Sequence, residues 1–170
     1  LADCARPDIA LITNIGLSHI ENLKTRENIL KAKLEITDFF KKDNTLVVNS
    51  EDDYLKNLKE EDFKIIKTGY NELSNYKAKN VSLTESTTSF EIEDENKTYK
   101  FVLPMVGAHN VLNALLGIVA SKILGVSYDE MLRGLDNIEA TSMRLEFIKI
   151  NDYTIINDCY NASPDSMKAA

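Results

Sequence analysis

The 170-residue sequence predicts an α/β fold: a mostly parallel sheet with flanking helices, a small antiparallel element, and the start of a second α/β unit. Three observations carry this. Apolar strand-like runs at 8–12, 45–49 and 63–67 alternate with stretches of helical character. Shorter runs with period-two character follow between 81 and 103. A helical block at 110–136 then gives way to a new pair of strands at 145–150 and 153–157.

Each element has a local cause. Asp8-Ile9-Ala10-Leu11-Ile12 is short and apolar, as a buried strand must be. Residues 26–40 place Ile29, Ile36 and Phe40 on one helical stripe. Thr45-Leu46-Val47-Val48-Asn49 reads as a second buried strand, 51–58 as a short helix, and 63–67 as a third strand stopped at Gly69. Residues 71–80 are polar and read as loop. Asp94-Glu95-Asn96-Lys97 reads as a hairpin turn. Leu112, Leu116, Val119 and Ile123 fall on one face of the helix at 110–124, with Gly125 as its C-cap. Ser127 and Glu130 have capping-box spacing for the next helix. Residues 139–142 read as a hinge, which divides the chain into a first unit at 1–140 and the beginning of a second at 141–170. Ser163 before Pro164 opens a last helix. Residues 1–7 read as a helix end entering a strand, and 167–170 lie inside a helix, so an internal segment of a longer protein is expected.

Composition narrows the function classes. The chain is 44% hydrophobic and 28% charged, enough for one good core, with a net charge of −7. That balance excludes non-specific binding to nucleic acid or to an anionic membrane surface, since both need a basic face. The most apolar stretch, 111–126, is too short to span a bilayer and contains Asn113, Ser121 and Lys122. Cys4 and Cys159 fit no metal-ligand spacing and read as reduced thiols of a cytoplasmic protein.

Lys33 is the residue that breaks the pattern. At 3.6 residues per turn it projects into the stripe of Ile29, Ile36 and Phe40, while Lys31, Lys41 and Lys42 fall outside it. One reading is an aliphatic stem on the apolar face with its amine snorkelling to water. The other is a desolvated, neutral amine, which is a nucleophile and can take up CO2 as an anionic carbamate that ligates metal. His19, in the polar loop after the first strand, is either structural or the other half of a metal-binding pair with Lys33. That loop lies where open α/β sheets collect their ligands, at the carboxyl end of a strand. Asn110 and Asn113, three apart on a helix's first turn, face the same way. Their amides either cap and solvate the helix start or suit the edge of an adenine ring. Arg144, at a strand start, reads equally as a surface residue.

Four motifs resemble the Mur ligases, the ATP-dependent amide ligases of peptidoglycan precursor synthesis. TNIGLSHIENLKTRENILKAKLEI, at 13–36, is similar to the family's TN-x4-H and AK-x-E/R-I motifs with their spacing. VGAHNVLNAL, at 106–115, resembles G-x-HN-x-x-NALA, and Arg144-Leu145-Glu146 resembles R-x-E. Asn157-Asp158-Cys159-Tyr160-Asn161-Ala162-Ser163-Pro164-Asp165-Ser166-Met167 resembles the ND-x-YNANPDSM segment of the branch that adds D-alanyl-D-alanine to UDP-N-acetylmuramoyl-tripeptide, with Ser163 in place of asparagine. The motifs span nearly the whole chain in family order.

The resemblance implies a P-loop-type central domain followed by a Rossmann-like C-terminal domain, with ATP and Mg2+ as cofactors. It implies that His19 and a carbamate on Lys33 hold magnesium, and that Asn110 and Asn113 line the adenine site. Arg144 would reach the ATP phosphates and Asp158 the ribose, with Tyr160 and Asn161 near the nucleotide. Folylpolyglutamate synthase, which shares the fold and the carbamylated lysine, is the rival within the class, and the YNASPDSM segment argues against it. A non-catalytic nucleotide-binding module is the rival outside it. No glycine of the six is followed by lysine, so the Walker A loop is absent from these residues. The 170 residues alone are therefore expected neither to ligate nor to hydrolyse ATP, and an exposed sheet edge is expected to pair with a second copy.

Overall fold

The computed structural model describes residues 2–18, 20–59, 62–135, 137–138 and 145–169. A four-residue helix, α1 (Ala2–Ala5), leads into β1 (Ile9–Ile12). Then come α2 (Ile20–Leu23), α3 (Arg26–Leu34), β2 (Thr45–Asn49), β3 (Lys64–Gly69), β4 (Tyr76–Leu83), β5 (Thr88–Asp94) and β6 (Lys97–Leu103). Two helices follow, α4 (Ala108–Ile123) and α5 (Tyr128–Leu135). The chain closes with β7 (Glu146–Ile150), β8 (Tyr153–Asn157) and α6 (Pro164–Ala169).

Strands β1 to β6 form one sheet in sequence order. β1, β2 and β3 pair in parallel, and β3 meets β4 in parallel through only two residue pairs. β4, β5 and β6 pair antiparallel. This is the mostly parallel sheet with an attached antiparallel element that the alternation of runs predicts. β7 and β8 form a separate two-stranded sheet.

β2 is buried along its whole length, which explains its uninterrupted apolar centre. On one face Leu46 and Val48 join Ile12, Ile29 and Ile65 in a core covered by α3. On the other, Val47 meets Leu116 and Val119 of α4. An adjacent face of α4, through Val111, Leu115 and Ile118, packs on Phe90, Ile92 and Phe101 of the antiparallel part. One helix therefore joins the parallel and antiparallel regions.

Three sequence readings are corrected. Residues 71–80 are not loop throughout, because β4 begins at Tyr76. Only Ala78 of its eight residues is buried, and Lys79 pairs with Glu93 across β5, so an exposed polar face hid the strand. Residues 51–58 hold only a 3-10 turn at Leu55–Asn57. There the Asp52 carboxylate accepts the N–H groups of Tyr54 and Leu55 at 2.9 and 3.0 Å, closing a tight turn instead of opening a helix. α3 is also shorter than 26–40, passing into a 3-10 turn at Glu35–Thr37. The hairpin turn at Glu95 and Asn96 (φ 49° and 62°) and the capping box of Ser127 and Glu130 stand where the sequence places them. The hinge at 139–142 lies outside the described residues.

Phe90 is fully buried and stacks on Phe101 with ring centroids 5.4 Å apart. Phe90→Ala is expected to destabilise the protein by about 3–5 kcal/mol, read as a lowered midpoint in urea denaturation. An unchanged midpoint would place this ring outside the core.

Candidate functional site

Because β1, β2 and β3 run in parallel, the segments that follow them emerge at one edge of the sheet. These segments are 13–18, 50–54 and 70–75. α3 supplies two cations to the first of them. The Lys33 amine donates to the Asn14 carbonyl at 2.6 Å, and Arg26 Nε donates to the Ile15 carbonyl at 2.8 Å. Lys33 is half-buried, and burial pushes its ammonium below the ordinary lysine value while the nearby Asp52 carboxylate opposes that shift. The stem thus follows the apolar face and its amine is captured by a loop carbonyl.

The second segment carries three consecutive carboxylates. Asp52, with its side chain 7% exposed, accepts the Ile15 N–H at 2.7 Å in addition to the two turn amides. Asp53 takes both terminal nitrogens of Arg26, at 2.9 and 2.5 Å, and the guanidinium lies 4.4 Å from the Tyr54 ring centre. Glu51 Oε1 accepts from Tyr70 N, Asn71 N and Asn71 Nδ2 at 2.7–3.0 Å. Asn49 donates to the Thr13 carbonyl at 3.1 Å. Arg26, Asn49 and the three carboxylates, with Asn14, Ile15 and Gly16, line an open cleft of about 370 Å³.

The third segment reaches α4. Tyr70 OH donates to the Ala108 carbonyl at 2.8 Å, and burial followed by the Glu51 charge raises its phenol. Gly107, at φ 124°, precedes α4, and a Cβ there would come within 2.6 Å of the His109 ring. Asn110 donates its amide to the Val106 carbonyl at 2.9 Å, while Asn113 is exposed one turn on. The α4 start and the Lys33 loop are therefore linked to the same sheet edge, through Glu51 and Tyr70 on one side and Asp52 on the other.

Two further candidates bond locally. Asp158 accepts from Leu145 N at 3.2 Å, and Asn161 accepts from Ala162 N at 2.9 Å, both within the β7–α6 segment. Tyr160 is 60% exposed. His19 and Arg144 lie outside the described residues. Arg26, Glu51 and Asp52 were missed by sequence reasoning. For Glu51 and Asp52 the signal was the acidic run 51–53 directly after a buried strand, at the same kind of strand end that drew attention to His19.

Magnesium prefers several oxygen ligands in near-octahedral geometry. Among the described residues no group of three His, Cys, Asp or Glu is placed to hold a metal. Asp52 and Asp53 are committed to amides and to Arg26, and a lysine ammonium is no ligand. The described side chains do not make a magnesium shell as they stand.

The model of the Mur ligase middle domain matches residues 1–121. Over its whole length the chain is 42% identical to the UDP-N-acetylmuramoyl-tripeptide–D-alanyl-D-alanine ligase of Bacillus subtilis, covering 36% of that protein. The fold matches MurF from Acinetobacter baumannii with a TM-score of 0.90 at 29% identity, over 99% of this chain and 37% of that one. It also matches the MurF ligase of Thermotoga maritima, solved in complex with ADP, with a TM-score of 0.84. At 23% identity, over 99% of this chain and 40% of that one, this last is a likeness of fold alone. The chain spans about a third of the length of the curated relatives it matches.

Gly69 tests how tightly the edge is packed. A Cβ there would lie 2.6 Å from Glu51 Oε1 and from Ser50 Oγ, and 2.9 Å from Ser74 Oγ. Gly69→Ala is expected to destabilise by about 1–3 kcal/mol, because the carboxylate and the two hydroxyls must move together. Gly117→Ala, on α4 with nothing within 4 Å, is expected to stabilise by about 0.5–1 kcal/mol. Denaturation midpoints that shift alike in the two variants would contradict this packing.

Proposed function

The chain belongs to the Mur ligase family, and we propose that it forms part of a ligase adding D-alanyl-D-alanine to UDP-N-acetylmuramoyl-tripeptide in peptidoglycan synthesis. The observation that carries this is the 42% identity to such a ligase across all of the chain. The sheet edge supports it, since the half-buried Lys33 is drawn there against the loop after β1.

In the proposed reaction the terminal carboxylate of the tripeptide takes the γ-phosphoryl group of ATP, and ADP leaves. The amine of D-alanyl-D-alanine then attacks the acyl carbon, phosphate leaves, and the amine gives up a proton. Residues 1–140 belong in this reading to the central ATP-binding domain, and 141–170 begin the C-terminal domain. Asn110 and Asn113 serve the adenine, Asp158 the ribose with Tyr160 and Asn161 beside it, and Arg144 the phosphates. His19 and a carbamate on Lys33 would hold Mg2+, which would neutralise phosphate charge when bound. The carbamate supplies the oxygens that the ammonium lacks, so modification of Lys33 is what fits the edge to a hard cation.

The setting is the bacterial cytoplasm, and no described helix is long and apolar enough to cross a membrane. β1 lies at one edge of the sheet, so the 170 residues alone self-associate there in this reading. Sedimentation as a monomer at every concentration would exclude that.

Lys33→Ala in the intact ligase is expected to cut turnover about 100-fold or more, the scale of losing one charge-stabilising group, with partial rescue by short carboxylic acids. Normal turnover would remove Lys33 from the reaction. The 170 residues alone are expected to bind ATP with a Kd of about 1 mM or weaker, equivalent to about 4 kcal/mol, because phosphate-cradling amides dominate nucleotide affinity. Tight binding in a calorimetric titration would mean that the nucleotide site is misplaced.

A further inference from the structure

We propose that Asp52 is a positioning residue of this ligase centre, fixing the Asn14–Ile15 peptide against which Lys33 is held. The inference rests on the ligase reading above. A trans peptide is a rigid plane whose C=O and N–H point in opposite directions. Here both ends of one plane are held by charged side chains. Lys33 Nζ donates to the Asn14 carbonyl at 2.6 Å, and the Ile15 N–H donates to Asp52 Oδ2 at 2.7 Å. A cation at the oxygen and an anion at the N–H both follow the peptide dipole, and charge-assisted bonds of this kind are short and strong.

The anchor on Asp52 is itself rigid. Its other oxygen accepts the N–H groups of Tyr54 and Leu55, Arg26 Nη2 approaches to 3.9 Å, and the side chain is 7% exposed. Three N–H donors and a nearby guanidinium offset the burial of the carboxylate. Ile15 is fully buried below, and its own carbonyl is taken by Arg26 Nε. The loop therefore cannot carry the Lys33 amine to a new place without breaking the Asp52 contact. An error of about 1 Å in such a group can cost about 100-fold in rate.

The local turn and the tether can be separated. Asp52→Ser keeps a hydroxyl able to accept the turn amides but is too short to reach Ile15. Asp52→Asn keeps the shape and one acceptor oxygen, and serves where the serine variant does not fold. In the intact ligase Asp52→Ser is expected to lower kcat about 100-fold, with KM for ATP changed by less than about threefold. Asp52→Asn should lie between it and the parent protein. Hydrogen-exchange mass spectrometry of the 13–18 segment should show the Ile15 amide exchanging about tenfold faster or more in the serine variant. A kcat for Asp52→Ser within about twofold of the parent would overturn the positioning role. Unchanged exchange would overturn the tether. A parent protein without ligase activity would overturn the ligase reading and the catalytic purpose of the tether, while the exchange result would still decide whether Asp52 holds this peptide.

Discussion

β2 has no exposed residue, and that burial governs where everything else can be. Leu46 and Val48 belong to the core under α3, and Val47 belongs to the core under α4. A slip of one residue would exchange these faces and send each side chain to the wrong helix. The register is therefore fixed on both sides, Ile9 opposite Thr45 and Thr45 opposite Lys64. Once it is fixed, Ile12, Asn49 and Gly69 end at one edge, and the segments after them must share the same small volume.

That sharing creates an electrostatic problem, which the edge resolves with bonds to backbone amides and to the Arg26 guanidinium. Three successive carboxylates repel one another and lose hydration in a crowded place. Each has been given different donors: Glu51 the amides of the third segment, Asp52 the amide of Ile15 and its own turn, Asp53 the guanidinium of Arg26. The partners come from α3 and from all three segments. Mutual satisfaction of these groups ties together loops that strand pairing alone would leave independent.

Much of this was legible in the residues, and the failures have a common physical cause. β2 and the hairpin at 94–97 were readable because burial on both faces and positive-φ turn residues leave strong composition signals, and β1 because its short run is apolar throughout even though Leu11 is exposed. β4 was not, since a strand with one wet face and cross-strand ion pairs looks like loop. The turn after β2 was misread as helix because Asp52 competes for the amides that a helix would use. At the site, Lys33 was legible as an intruder in an apolar stripe. The partners of Arg26 and Asp52 were not, because a charged side chain bonded to groups from distant segments does not reveal them in its local pattern. Which peptide a carboxylate will cap depends on the register of strands, and no window of sequence contains that.

In the proposed reading Lys33 has two roles that cannot both be full at once. As an ammonium it gives three donors and a positive charge, and one donor is spent on Asn14. As the proposed carbamate its nitrogen would keep a single N–H, enough to retain that bond, while two oxygens would bring negative charge toward Asp52. Burial favours the neutral amine from which a carbamate forms, and Asp52 favours the ammonium that resists it. Burial is the larger of the two, so the neutral amine gains, while the charge of a carbamate would still face Asp52 unless a cation joined it. Added positive charge would turn the Asp52 neighbourhood from a penalty into a shared anionic surface. In the proposed reading, modification of the lysine and arrival of the cation would favour one another.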